Sequence, residues 1–133
     1  MSLLKESINK LVEVVGDKDS EVVEHDEHYI TIDGEEYLIL DDDGVIEYMK
    51  DYVEDSASYF SSWFLEEVTE LPKEIFEAIE GKNDAVFQLI EETCGVDKFV
   101  REALRYDGAG HFISSYDGSE IDLGNGLYAF RLS

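Results

Sequence analysis

Three observations predict an α+β fold. Two β-rich tracts punctuated by turn residues, at 21–40 and 107–133, flank a central run of amphipathic segments with helical spacing. Both tracts carry hairpin dipeptides: Asp33-Gly34 in the first, Asp117-Gly118 and Asn125-Gly126 in the second. Apolar residues make up 44% of the chain, with 7 Phe, 8 Tyr and 1 Trp, so 133 residues can bury one core. The expected architecture is a single domain. In it an antiparallel sheet, an N-terminal hairpin plus a C-terminal three-stranded meander, packs against several short helices.

Residues 2–15 are expected as an amphipathic helix. Leu4, Ile8, Leu11 and Val15 share one side, Ser2 can cap, and Gly16 suits the stop. Asp17 to Ser20 is a polar turn. Glu21 to Leu40 reads as strands around Asp33-Gly34. The register is open: a longer Asp33–Glu36 loop sets Ile32 beside Tyr37 and Ile30 beside Ile39, the better apolar match. Asp41, Asp42 and Asp43 supply capping oxygens and a negative first turn for a helix over Val45–Asp55. Its apolar side is Ile46, Met49 and Val53, flanked by Tyr48 and Tyr52.

A further helix over Ser56–Glu70, or a continuation of the last, has an aromatic face of Tyr59, Trp63 and Phe64. Leu71-Pro72 breaks it, with Pro72 suited to a first helical position. Short helices follow over Lys73–Glu80 (Ile75, Phe76 and Ile79 inward), Ala85–Cys94 (Val86, Leu89 and Ile90) and Lys98–Arg105 (Phe99, Val100 and Leu104). Asn83 or Asp84, then Asp97, can cap the last two. The meander strands are expected at His111–Ser115, Ser119–Leu123 and Leu127–Leu132.

Charge is the strongest functional signal. The formal net charge is −23, far beyond the magnitude of about 2–8 that keeps a small domain soluble. Residues 17–55 hold sixteen acids against Lys18 and Lys50; residues 97–133 hold six acids against four cations. The acid therefore belongs to the first two-thirds of the sequence, backed by a nearly neutral C-terminal third. Self-repulsion opposes folding, so such charge has a use. It disfavours direct binding to nucleic acid or to anionic lipid. No apolar run approaches a membrane span, the N-terminus lacks a signal-peptide pattern, and the lone Cys94 fits a reducing cytoplasm.

The stretch Asp107-Gly108, Gly110-His111-Phe112 and Ser115-Tyr116-Asp117-Gly118, with Tyr29, Glu36-Tyr37-Leu38, Tyr52 and Trp63–Leu65, resembles small acidic proteins of phages and mobile elements. The resemblance covers most of 28–131. It implies a phage-encoded accessory protein and assigns no active-site residue.

Other chemistry has weak support. His25 and His28, at an odd offset on a strand, fall on opposite faces and do not make a metal cluster. Asp41-Asp42-Asp43-Gly44 misses the calcium-loop spacing, because Ile39 and Lys50 stand at ligand positions. Gly108–Gly110 and Gly124–Gly126 read as turns and not phosphate loops. His111 and Ser115 share a strand face, but no orienting partner completes a catalytic set with them or with Ser114. Cys94 is expected as a small buried residue with no resolving partner. The aromatic set Tyr52, Tyr59, Phe60, Trp63 and Phe64 is mostly core, with exposed members able to anchor a protein partner.

No enzyme activity, metal or cofactor is expected. The expected function is binding of a basic protein partner. Glu35, Glu36, Asp41, Asp42, Asp43, Glu47, Asp51, Glu54, Asp55, Glu66, Glu67 and Glu70 form the candidate surface, which Glu74, Glu77 and Glu80 can extend. Carboxylates at i, i+4 stand about 5–6 Å apart at Cβ, the order of neighbouring phosphates. With the phage-like resemblance, this predicts a nucleic-acid mimic that inhibits a host defence protein, of antirestriction or anti-CRISPR type. The alternative is an acidic adaptor without mimicry. Adaptation to high salt is disfavoured, since 19 Glu outnumber 14 Asp.

Overall fold

The computed structural model describes residues 3–26 and 28–133, with side chains from Lys5 onward. The Ser2 cap, the Leu4 side chain and Glu27 lie outside the described residues. In chain order the elements are α1 (Leu3–Val15), β1 (Val22–Glu24), β2 (Tyr29–Ile32), β3 (Glu35–Asp41) and α2 (Asp42–Ser56). A 3-10 turn (Ala57–Tyr59), α3 (Ser62–Thr69), α4 (Lys73–Ala78), α5 (Asn83–Glu92) and α6 (Val96–Asp107) follow. Last come α7 (Ala109–Ile113), β4 (Ile121–Gly124) and β5 (Leu127–Arg131). The fold is α+β, with one antiparallel sheet in the order β1-β2-β3-β5-β4. The chain forms two compact units, residues 1–45 with 108–133, and residues 46–107.

The first unit is built on the sheet. Alternation puts Ile30, Ile32, Tyr37 and Ile39 on one face, where they pack with Ala129, Leu123 and the buried Ile8 and Leu11 of α1. Ile30 pairs with Tyr37 and Ile32 with Glu35, so the β2–β3 connection is a two-residue turn and not the longer Asp33–Glu36 loop. Positive φ at Asp33 (51°) and Gly34 (83°) gives the turn the twist that paired strands favour, which outweighs the apolar match of the longer loop. Asn125-Gly126 does the same between β4 and β5, with φ 55° and 77°. The sheet is thus a meander of β1–β3 joined through the β3–β5 pair to a hairpin of β4 and β5.

The expected strand His111–Ser115 is instead α7 and the turn after it. Gly108 caps this short helix at φ 81°. At Gly110 a Cβ would run into the Gly118–Ser119 backbone, 2.8 Å from the Ser119 carbonyl carbon. That close approach requires a residue without a side chain at 110 and is invisible to periodicity. The nearly neutral C-terminal strands share the sheet with acidic β1–β3, so the charge gradient along the sequence is not a gradient between units.

The second unit is helical. The aromatic cluster Phe60, Phe64 and Phe99 forms part of its core, with ring centroids 4.9–5.8 Å apart. The expected helix over Ser56–Glu70 is interrupted: Ala57–Tyr59 tightens to 3-10, Phe60 is extended, and Ser61 caps α3 by accepting from the Phe64 amide at 3.4 Å. Glu70 ends α3 in the left-handed region at φ 64°. Pro72 stands one residue before α4. Asn83 opens α5 but does not cap it. Its Nδ2 donates to the Glu54 carbonyl at 2.7 Å and its Oδ1 accepts from the Ser58 amide at 3.0 Å. Phe76, Val86, Ile90, Phe99 and Val100 are buried as expected; Ile75 is exposed, and Ile79, Leu89 and Leu104 are half-buried.

Candidate functional site

Helix α2 separates charge from core by its period. Met49 and Val53 are fully buried, and Glu47, Asp51 and Glu54 lie on the opposite side, with Asp55 beside them. All four carboxylates are exposed. Glu47 meets Lys50 at 3.6 Å, and Lys50 also reaches Asp97 at 3.1 Å. Asp97, then Glu47, hold the Lys50 ammonium above its ordinary pKa. Among the described residues, Asp51, Glu54 and Asp55 make no side-chain hydrogen bond or ion pair. The row is therefore presented on one helix face with little internal neutralisation.

A second acidic face lies on α3. Trp63, Glu66, Glu67 and Glu70 follow i, i+3, i+4, i+7 spacing, opposite the buried Phe64, Leu65 and Val68. They line an open groove of about 790 Å³ completed by Leu71, Pro72, Lys73 and Glu74. Two of these acids are engaged. Glu66 Oε2 accepts from the Lys73 amide at 3.1 Å, and Glu67 Oε1 accepts from the Tyr106 hydroxyl at 2.8 Å. That bond, with further contributions, raises the Tyr106 pKa. Glu70 makes no side-chain hydrogen bond or ion pair among the described residues. Trp63 is 57% exposed, and its ring meets Phe64 and Tyr106 nearly at right angles. The i, i+3, i+4, i+7 spacing that it shares with the glutamates is the sequence signal for its exposure, where the expected aromatic face put it with the buried Phe64.

In the first unit, part of the expected surface is committed to the fold. Glu35 accepts from the Tyr37 hydroxyl and from Arg131, each at 3.1 Å. Glu36 hydrogen-bonds Tyr29, whose phenol it pushes up. Asp41 Oδ1 accepts from the Gly44 amide at 2.7 Å and caps α2. Asp42 and Asp43, exposed in the first turn of α2, are held less tightly.

The other sequence candidates are dispersed. His25 and His28 lie in the β1–β2 loop and not on a strand. His25 Nε2 contacts Thr31 Oγ1 at 2.7 Å, and His28 Nδ1 contacts the Ile39 carbonyl at 3.1 Å. The loop is organised by Asp26, whose carboxylate accepts from the His28 and Tyr29 amides and is thereby lowered in pKa. Ser114 is buried, with Oγ 2.8 Å from the Arg131 carbonyl and 2.9 Å from Asp117. Ser115 donates to the Leu132 carbonyl, and His111 is exposed on α7. The Cys94 thiol is half-buried, and burial raises its pKa. Among the described residues, no three His, Cys, Asp or Glu side chains converge as a metal site, and no helix is long and apolar enough to cross a membrane.

Comparison with protein-family models, curated proteins and solved structures finds no match to this chain.

Proposed function

We propose that the chain is a binding protein that seats its acidic helical surface on the basic, nucleic-acid-binding surface of another protein and so blocks it. The row Glu47, Asp51, Glu54 and Asp55 carries this reading. These are exposed carboxylates at one-turn spacing, fixed by the buried Met49 and Val53 on the far side of α2. A basic groove built for phosphates meets carboxylates with the sign of phosphates and a similar spacing, and long-range attraction speeds encounter. The resemblance to small acidic phage proteins supports a host defence nuclease or CRISPR effector as the partner class. The chain then acts by occupancy and not by catalysis.

A second reading, an acidic adaptor without mimicry, is favoured by the exposed indole of Trp63, which imitates no part of a phosphate backbone. Competition separates the two. Partners captured on the immobilised protein are challenged with excess duplex DNA or RNA. Mimicry expects nucleic-acid-binding proteins that the duplex displaces, and Glu47→Lys with Asp51→Lys abolishes their capture. Retention against the duplex removes mimicry, and unchanged capture by the double variant removes the α2 surface.

A further inference from the structure

We infer that the groove on α3 and α4 receives an arginine side chain of the basic partner, stacked on Trp63 and paired with Glu70. This deepens the proposed function and rests on its premise that the partner surface is basic. The groove combines a large exposed aromatic ring with four carboxylates, Glu66, Glu67, Glu70 and Glu74, against one lining cation, Lys73. That charge balance selects a cation, and the indole selects a flat one. A guanidinium stacks on an aromatic face while its fork engages a carboxylate, whereas an ammonium offers a point charge without the plane.

The fold uses the same combination internally, twice. Arg105 lies 4.9 Å from the Tyr106 ring centroid and donates through Nε and Nη2 to Glu102 at 3.2 and 2.7 Å. Arg131 lies 3.6 Å from the Tyr116 centroid and pairs with Glu35 at 3.1 Å. Each is an arginine between an exposed tyrosine and a glutamate. Trp63 and Glu70 present the ring and the carboxylate, and the third member comes from the partner. Glu66 and Glu67 are already held by the Lys73 amide and the Tyr106 hydroxyl, which leaves Glu70 and Glu74; of these, Glu70 shares the i, i+7 row of Trp63 and is assigned as the pairing group.

Trp63 is the only tryptophan of the chain, so its emission reports on the groove alone. An arginine–glycine repeat peptide is titrated against a lysine–glycine peptide of equal length and charge at moderate salt. The arginine peptide is expected to bind about tenfold tighter, the scale of one stacked, desolvated guanidinium, and to change Trp63 emission. In Trp63→Leu, followed by anisotropy of labelled peptides, the two affinities become equal. In Glu70→Gln, which keeps the indole, the arginine preference shrinks several-fold. Equal affinities in the parent protein, or a preference that survives Trp63→Leu, overturn the assignment. If arginine preference is instead lost in Glu47→Lys with Asp51→Lys and kept in Trp63→Leu, the groove fails while the acidic-surface reading stands. Failure of both peptides to bind overturns both.

Discussion

Tyr37 places a hydroxyl at the margin of an apolar core. It is 1% exposed, packs with Ile30 and Ile39, and donates to Glu35, which also takes Arg131. Burial first, and the bond to Glu35 second, push its phenol up to about 12. The folded state therefore favours the neutral form. The resulting stability is fully present below the unfolded value near 10 and is lost as pH rises through about 12. The urea midpoint should fall across this window, and Tyr37→Phe should make the fall shallower. Tyr29, Tyr48, Tyr106 and Tyr128 are also raised, so some alkaline loss persists. An alkaline limb of equal depth in Tyr37→Phe contradicts the assignment. The same network shows that Glu35 supports the sheet, so a weakened Glu35 variant does not by itself report on binding.

At the level of elements, α2 separates two kinds of acid that look alike in sequence. Asp41 caps the helix, and Asp41→Ala should cost about 1 kcal/mol of stability by chemical denaturation. Glu47 makes only an exposed contact with Lys50, and Glu47→Gln should cost less than about 0.5 kcal/mol. The reverse ranking would remove Asp41 from its capping role. Elements with a strong period or a local signal were legible: α1 from Ile8 and Leu11, the α2 start from its aspartates, and the turns at Asp33-Gly34 and Asn125-Gly126. What distant partners decide was not. Tyr106 engages Glu67 from 39 residues away, Asn83 clasps the Glu54 carbonyl from 29 residues away, and Gly110 packs on the Gly118–Ser119 backbone. By sequence spacing alone, the twelve acids of the candidate surface are equals. The fold ties up Glu35, Glu36, Asp41, Glu66 and Glu67 and leaves Asp51, Glu54, Asp55 and Glu70 to face outward.

For the whole molecule, charge acts on folding and on binding with opposite dependence on salt. Both units are acidic: −13 for residues 1–45 with 108–133, and −10 for 46–107. The ion pairs among the described residues include Lys50 with Glu47 and Asp97, Arg105 with Glu102, and Arg131 with Glu35. Exposed pairs contribute about 0–1 kcal/mol each, and salt weakens them. Repulsion among 33 acids against 10 Lys and Arg is stronger than these attractions, and salt weakens it too. The net sign is set by repulsion. The thermal midpoint should rise from about 10 mM to about 0.5 M NaCl, as the Debye length shrinks from about 30 Å to a few ångströms. Chloride is the right salt, because sulfate would also strengthen apolar burial. Over the same range, affinity for a basic partner should fall steeply. A midpoint that falls with NaCl would mean that the ion pairs outweigh the repulsion. If binding were indifferent to salt, the acidic surface would not be what holds the partner, and the aromatic groove would have to carry the interaction alone.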